Sequence, residues 1–254
     1  MRRALAVLLL LLSSAPQPAA AWPAETVAAL SRDARKLLPR SLSRLLGERE
    51  SFVLDETRRF PPDLARALAQ DLPAGRLRPE TLQALSAHAD GAYRLLKEGQ
   101  VTEGLVRLGG LLRIPADLSD PVLSVGSEGW PPGLTREYYG LFAANLARMP
   151  VVLDDRAALK LTRKELPALW QSLVERSRAQ VPVMRDALFV DGRVVDHRRL
   201  DYRSPAWAVA SLAYSRAVTG TAATWLAVWR EANGDTTKMP TAREVAPQPQ
   251  PEAP

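Results

Sequence analysis

The sequence predicts an all-α fold, built as a single multi-helix domain. Three observations carry this prediction. Apolar residues recur at helical spacing in one segment after another, and prolines and glycines stand where these segments begin and end. Only one stretch, Leu188 to Val195, has the pattern of a β-hairpin. Residues 22–235 contain no internal repeat and no linker, so we expect one domain there.

Residues 1–21 have the layout of a secretory signal peptide. Two arginines follow Met1, an apolar run extends from Ala4 to Leu12, and three alanines end at Ala21. The run is far shorter than the roughly 20 residues that cross a bilayer. We therefore expect export to the periplasm or the extracellular space, no transmembrane segment after signal removal, and Trp22 as the first mature residue. Cleavage one or two residues earlier fits the same pattern.

The helical segments follow in order along the mature chain. Each has one apolar face and a recognisable start or stop signal. The predicted segments are Val27 to Leu38, ended by Pro39; one opened by Pro61-Pro62; Pro79 to Gly99; Gln100 to Ile114, broken or kinked at Pro115; Leu134 to Met149; Arg163 to Gln180; and a long last helix from Pro205, capped by Ser204 and ended by Asn233-Gly234.

Two further stretches complete the prediction. The hairpin has Asp191-Gly192 as its turn, a pair that favours the left-handed conformation of a tight turn. Residues 236–254 form a polar, proline-rich tail that we expect to be disordered. Three tryptophans of the last helix, Trp207, Trp225 and Trp229, are most simply explained as core.

Composition excludes several kinds of site. There is no cysteine, hence no disulfide and no lipoprotein acylation site. The formal charge of +6 falls to +4 once Arg2 and Arg3 are removed, and the basic residues do not cluster with aromatics as they do in nucleic-acid interfaces. The two histidines, His88 and His197, lack a nucleophile elbow, and "SVGSEG" (Ser124 to Gly129) is expected to be a loop.

One combination of motifs points to a family. A chain that starts at Trp22 continues into "LLKEGQVTEGLVRLGGLLRIPADLSDPVL" and closes with "SPAWAVASLAYSRAVTGTAATWLAVWREANGD". This order of motifs resembles the zinc-dependent phospholipase C and single-strand-specific nuclease superfamily. The resemblance implies an all-helical phosphodiesterase fold in which the amino group and carbonyl of an N-terminal Trp bind zinc. It also implies a motif of the type His-x-x-x-Asp-x-x-x-Pro-x-His, where Asp117 and Pro121 match.

The departures from the family pattern concern its zinc ligands. By the resemblance, histidine positions fall on Val27, Arg113, Leu123 and Thr135, and a glutamate position falls on Tyr139. A further family aspartate corresponds to Asp63 or to Asp55, and the sequence does not choose between them. The vestigial metal-site positions are therefore Trp22, Asp63, Arg113, Asp117, Thr135 and Tyr139.

Zinc sites are built mainly from imidazole and thiolate ligands, with carboxylates in support. Two histidines that do not fall on the ligand positions cannot assemble a trinuclear centre, so we expect no zinc cofactor and no catalytic residue. We expect instead that Arg113 and Asp117, four residues apart, form an ion pair in which the guanidinium replaces metal charge. Pro115 lies between them, and a broken helix would prevent that pair.

Three interpretations follow for function. The first is an exported, non-catalytic protein of the phospholipase C/nuclease type that binds a partner or serves a structural role. The second is an active phosphodiesterase, acting on phospholipid or nucleic acid through a reduced or rearranged metal site. The third is an unrelated helical domain in which Trp22 is accidental. The sequence names no partner, and lipid or nucleic-acid contact is implied by the resemblance alone.

Overall fold

The computed structural model describes residues 22–126, 129–153 and 156–240. The predicted signal peptide and most of the predicted tail lie outside these residues. The described part of the chain is mostly helical, as predicted. Its α-helices are α1 (Ala24–Arg35), α2 (Arg40–Gly47), α3 (Glu50–Arg58), α4 (Pro62–Asp71), α5 (Pro79–Lys97), α6 (Val101–Gly110), α7 (Arg113–Leu118), α8 (Leu134–Asn145), α9 (Leu166–Leu188) and α10 (Pro205–Glu231).

Helix α10 forms the centre of the molecule. It contacts α1, α7 and α9, and nearly all of its length is buried. The predicted core tryptophans Trp207, Trp225 and Trp229 are buried, Trp225 completely. Small residues fill the middle of this helix and allow close approach of its neighbours. A methyl group on Gly220 would lie 3.0 Å from side-chain carbons of Leu173 on α9 and Pro115 on α7.

The ends of α10 form as the sequence predicts. At its start, Ser204 Oγ accepts a hydrogen bond from the backbone N–H of Trp207 at 3.2 Å. At its end, Asn233 adopts φ 64°, and the N–H of Gly234 donates to the carbonyl of Trp229 at 2.9 Å. This is a Schellman-type stop with asparagine in the left-handed position, where a short polar side chain is tolerated.

The hairpin prediction is also confirmed. Strand β1 (Phe189–Val190) pairs with antiparallel strand β2 (Arg193–Val194). Asp191 and Gly192 form the turn with φ values of 50° and 75°. Two successive positive φ angles match the right-handed twist of a two-residue hairpin, which explains the Asp-Gly pair.

Two helices differ from their predicted bounds at prolines. Helix α9 continues past Gln180 and through Pro182, because the apolar face is kept by Val181, Met184 and Leu188, all buried. The predicted segment Gln100 to Ile114 ends at Gly110 instead, and α7 starts afresh at Arg113. Here the proline falls in the first turn of α7, where its missing N–H costs no helical hydrogen bond.

Helices α2 and α3 were not predicted at all. Each is short, and each buries only two side chains: Leu42 and Leu46 in α2, Val53 and Thr57 in α3. Such weak periodicity is difficult to recognise without knowing the helix against which it packs. In the described ranges, no helix is both long enough and apolar enough to span a membrane.

The contact between α3 and α6 gives a first testable prediction. A methyl group on Gly109 would overlap the side chain of Val53, whereas a methyl group on Gly91 would meet no atom within 4 Å. Gly109→Ala should therefore destabilise the protein by about 1–3 kcal/mol through overpacking. The matched control Gly91→Ala, in the middle of α5, should stabilise it by about 0.5–1 kcal/mol.

Urea unfolding of the two variants measures both effects. Val53→Ala in the Gly109→Ala background should recover part of the loss, since it removes the overlapping methyl groups. Equal stability of the two glycine variants would show that α3 and α6 are not in close contact.

Candidate functional site

Trp22 is buried at the start of the described chain. Its indole Nε1–H donates a hydrogen bond of 2.8 Å to the carbonyl of Ala116 on α7. The ring meets Phe142 of α8 edge to face, with 4.7 Å between ring centroids. Both contacts use the side chain, and they fix Trp22 beside the residue that precedes Asp117.

Asp117 forms an ion pair with Arg113 on the same helix. Arg113 Nε donates to Asp117 Oδ2 at 2.6 Å, and the aspartate side chain is only 6% exposed against 28% for the arginine. The expected i,i+4 pair therefore exists, because Pro115 lies in the first turn of the helix and does not break it. The second carboxylate oxygen, Oδ1, is buried and has no hydrogen-bond partner among the residues that the structure describes.

A second buried carboxylate, Asp120, lies just after α7. Its Oδ2 accepts a 2.6 Å hydrogen bond from the Tyr139 hydroxyl, and its Oδ1 accepts one of 2.9 Å from the N–H of Val122. Burial raises the pKa of Asp120 to about 7, despite these bonds. The pKa of Tyr139 is raised well above 10 by burial and by the nearby carboxylate, so this phenol stays protonated and donates.

We call Trp22, Arg113, Asp117, Asp120 and Tyr139 the Trp22 cluster. It contains two carboxylates and one guanidinium. Burial raises the pKa of Asp117 more than the ion pair with Arg113 lowers it. The attraction of Asp117 raises the pKa of Arg113 in turn. The chemistry of this donor set is that of charge pairing and proton retention, since it offers no imidazole or thiolate to a zinc ion.

The structure brings some vestigial positions together and separates others. Trp22, Arg113, Asp117 and Tyr139 lie in the Trp22 cluster, and Thr135 lies one helical turn before Tyr139 on α8. Asp63 does not join them: its side chain is 92% exposed and pairs with Arg66. Asp55, the alternative to Asp63, is half-exposed and pairs with Arg58. Both carboxylates face solvent, so neither is a member of the buried cluster.

Asp120 is the member of the cluster that the sequence did not reveal. A signal was available, because Asp120 stands three residues after Asp117 and directly before Pro121. Its partner Tyr139 is nineteen residues away, however, and nothing local links the two.

Val27 and Leu123, two other positions at which the resemblance implies histidine, are partly buried and pack against the core. His88 lies on α5, where its ring meets Phe60 edge to face at 5.6 Å. Burial lowers the pKa of His88, and the charge of Arg107 lowers it further, which favours the neutral imidazole. These three residues have structural contacts and no place in the Trp22 cluster.

The other histidine belongs to a second polar group, which we call the Glu137 cluster. It consists of Glu137, Asp196 and His197, whose ligand atoms lie within 4.8 Å of one another. Glu137 Oε2 lies 2.8 Å from His197 Nδ1 and accepts a 3.1 Å hydrogen bond from the backbone N–H of His197. The cluster borders a shallow depression of about 420 Å³.

Two arginines already form hydrogen bonds with the carboxylates of the Glu137 cluster. Arg136 Nε donates to Glu137 Oε1 at 2.9 Å, and Arg198 Nη2 donates to Asp196 Oδ2 at 2.6 Å. A cation bound here would have to displace these bonds and approach two guanidinium groups. The cluster is better explained as a set of hydrogen bonds that joins α8 to the turn after the hairpin. Gly140 allows this close approach, since a methyl group there would lie 2.6 Å from His197 Nδ1.

The stretch "SVGSEG" does not form a nucleophile site in the described residues. Ser124 is buried, and its Oγ lies 3.0 Å from Ser177 Oγ and 3.3 Å from the carbonyl of Asp120. Ser127 and Glu128 of this stretch lie outside the described residues. The surroundings of Ser124 contain no base that could activate it, among the contacts that the described chain makes.

Comparison with known proteins adds no relative. No family model, no curated protein and no solved structure matches this chain. The site is therefore interpreted from its own geometry.

The Arg113–Asp117 pair gives the second prediction. Arg113→Ala would leave the buried Asp117 without its cation, which should cost about 3–5 kcal/mol of unfolding free energy. Arg66→Ala breaks the exposed Asp63–Arg66 pair and should cost under about 1 kcal/mol. Chemical denaturation of both variants compares the two pairs. A loss for Arg113→Ala no larger than that for Arg66→Ala would mean that the buried pair does not hold this region together.

The Glu137 cluster gives a third prediction, on acid stability. His197 donates from its ring and backbone to Glu137, which lowers the pKa of this carboxyl to about 2. A lowered pKa stabilises the folded state above the unfolded value of about 4.3, and this stabilisation is lost as the pH falls from there towards 2. Glu137→Gln should therefore flatten the fall in stability over that range.

Urea midpoints measured from pH 2 to pH 7 test this expectation. Asp63→Asn, which alters an exposed pair, serves as the control and should follow the unmutated protein closely. If the urea midpoints of Glu137→Gln and of the unmutated protein fall in parallel between pH 4 and pH 2, the hydrogen bonds between Glu137 and His197 contribute nothing to acid stability.

Proposed function

We propose that this chain is an exported protein of the phospholipase C/nuclease type that has lost the trinuclear zinc centre and acts without hydrolysing phosphodiesters. Its role is then that of a binding or structural protein. Support comes from the order of the sequence motifs and from the neighbourhood of Trp22, Arg113, Asp117 and Tyr139 in one cluster.

The observation that carries the proposal is the ion pair of Arg113 with Asp117. The resemblance implies a histidine ligand at the first position and an aspartate ligand at the second. The guanidinium of Arg113 cannot coordinate a cation, because it has donors and no acceptor. It also pairs with Asp117, the carboxylate that would otherwise bind the metal ion. A metal ion bound at Asp117 would have to break a 2.6 Å hydrogen bond and approach a fixed positive charge.

Tyr139 supports the same conclusion. The resemblance implies a glutamate ligand there, but the phenol is held in its protonated form and donates to Asp120. A protonated hydroxyl that donates its hydrogen offers a poor ligand to a cation. Hydrolysis of a phosphodiester by a metal-bound hydroxide needs the ion that lowers the pKa of water. With Arg and Tyr at these positions, the Trp22 cluster does not offer such an ion the ligands that the resemblance implies.

A second candidate function is phosphodiester hydrolysis at a rearranged metal site. The Glu137 cluster favours this candidate, because it places one imidazole and two carboxylates within 4.8 Å beside an open depression. Arg136 and Arg198 weigh against it for the reason given above. We therefore place it second.

The fourth prediction tests both candidates together. The mature protein, purified without chelator, should contain substoichiometric zinc by elemental analysis. It should not hydrolyse bis(4-nitrophenyl) phosphate, single-stranded DNA or phosphatidylcholine above the blank, with added Zn²⁺, Mg²⁺ or Ca²⁺. Stoichiometric metal together with hydrolysis that is lost on chelation would refute the non-catalytic proposal.

Variants then locate any metal that is found. Arg113→His should not restore zinc binding, since Val27, Leu123 and Thr135 still supply no imidazole. Metal that persists in Arg113→His and is lost in His197→Ala would favour the rearranged site. Asp63→Asn is the matched control for changes at an exposed carboxylate outside both clusters.

A further inference from the structure

The Glu137 cluster leaves one ring nitrogen of His197 available to a ligand. Glu137 Oε2 lies 2.8 Å from Nδ1 of this histidine. The other ring nitrogen, Nε2, makes no hydrogen bond among the described residues, and the side chain is 24% exposed. His197 also lines the depression of about 420 Å³ beside the cluster. Nε2 is therefore the ring nitrogen that a ligand in this depression can reach.

The Glu137 carboxylate fixes the hydrogen and the orientation of this ring. Hydrogen bonds from His197 lower the pKa of Glu137 to about 2, so the carboxylate is ionised near neutral pH and can only accept. Nδ1 consequently carries a hydrogen. The backbone N–H of His197 donates to the same oxygen at 3.1 Å, which holds the ring against α8. An imidazole oriented by a carboxylate offers its second nitrogen to a partner at a defined position.

Two arginines border the same depression, and they are more exposed than the carboxylates with which they pair. The side chains of Arg136 and Arg198 are 81% and 77% exposed, against 9% for Glu137 and 34% for Asp196. Their Nε and Nη2 atoms contact the carboxylates. Nη1 of each guanidinium has no partner in the described part of the chain. A ligand that enters the depression therefore meets positive groups with free donors.

The start of α8 adds to this positive character. Arg136 and Glu137 are the third and fourth residues of the helix, and the N-cap residue Gly133 has no side chain to cap it. The first N–H groups of a helix point out of its N-terminus and together carry about half an elementary positive charge. An anion is stabilised beside this turn. A cation is disfavoured there by both the helix and the arginines.

The donors suit a tetrahedral oxyanion. The planar guanidinium matches the spacing of two phosphate oxygens. Nε2 of His197 can donate when the ring carries two hydrogens, and it can accept from a P–OH group when the ring carries one. A phosphate group has four oxygens to share among these three side chains, whereas a carboxylate has two. The volume of the depression lies within the range of small-molecule sites, about 300–1,000 Å³.

We propose that the depression beside the Glu137 cluster binds a phosphate group. Arg136 and Arg198 bind its oxygens, and Nε2 of His197 contacts one of them. Glu137 is a positioning residue, because it orients the imidazole. The ligand is inorganic phosphate or the terminal phosphate of a monoester, since both present the same group. The inference goes beyond the proposed function, because it assigns a ligand to a cluster other than the Trp22 cluster.

The fifth prediction is that the purified protein binds inorganic phosphate in a saturable 1:1 complex. Isothermal titration calorimetry at constant ionic strength, balanced with sodium chloride, measures Kd. His197→Asn keeps an amide donor near the position of Nδ1 and removes Nε2, so the contact with Glu137 is retained. It should raise Kd at least about tenfold, the size expected when a hydrogen bond to a charged group is lost.

Two arginine variants complete this test. Arg198→Ala should also raise Kd at least about tenfold, because it removes a charged donor from the depression. Arg66→Ala is the matched control, since it removes an exposed arginine that pairs with a carboxylate on α4, and Kd should stay within about twofold. Absence of saturable binding, or equal Kd values for His197→Asn and the unmutated protein, would overturn the inference.

A second measurement locates the phosphate without any variant. The sequence contains two histidines, so the imidazole signals of His88 and His197 form two sets in ¹H–¹⁵N NMR spectra. Phosphate should shift the ring signals of His197 and leave those of His88, which lies on α5, unchanged. A shift of His88 alone, or of neither ring, would show that phosphate does not bind at the Glu137 cluster.

Further titrations identify the source of the phosphate group. Glycerol 3-phosphate represents a monoester free in solution. Vesicles of phosphatidylcholine with and without phosphatidic acid present a terminal phosphate on a lipid. Retention on the phosphatidic acid vesicles that is lost in His197→Asn assigns a lipid headgroup, and binding of glycerol 3-phosphate without such retention assigns a soluble ester.

The outcomes separate this inference from the proposed function. A metal-free, inactive protein that does not bind phosphate would refute the phosphate site alone. Metal-dependent hydrolysis that persists in His197→Ala, with phosphate bound as predicted, would refute the non-catalytic proposal alone. Stoichiometric metal that supports hydrolysis and is lost in His197→Ala would refute both, because the cation would then occupy the Glu137 cluster.

Discussion

The burial of Asp117 is the constraint on which the centre of this protein depends. A carboxylate that is only 6% exposed cannot remain ionised without a nearby positive charge and donors. Arg113 supplies this charge from one helical turn away. The short helix α7 places the two side chains on the same face, where they form the ion pair. Pro115, in the first turn of this helix, lies close to Gly220 of α10, so the helix that carries the ion pair packs directly against the long central helix.

The elements that the sequence predicts well are those with local signals. The hairpin follows from Asp191-Gly192, whose two positive φ angles define the turn, and α10 follows from its Ser204 cap and its Asn233 stop. The elements that it misses depend on tertiary packing. Pro182 is accepted inside α9 because the residues around it are buried against the core, and no local rule reveals that.

The candidate site divides in the same way. Arg113 and Asp117 are four residues apart, so their pair is predictable once a helix is assumed. The bonds from Tyr139 to Asp120 and from His197 to Glu137 join residues nineteen and sixty positions apart. Such pairs depend on how α8 packs against the end of α7 and the turn after the hairpin. Asp63 shows the opposite error. The resemblance assigned it to the same metal site as the buried positions, but its side chain is exposed to solvent.

The charges of the cluster also explain why it would persist without a metal. Replacing Arg113 alone leaves a buried carboxylate unpaired, and replacing Asp117 alone leaves a half-buried guanidinium without its anion. Each single change is expected to cost about 3–5 kcal/mol, a large part of the stability of a typical domain. A joint replacement by apolar residues could be neutral, but it requires two changes at once. The buried charges are then retained because they depend on one another, whether or not they still serve a catalyst.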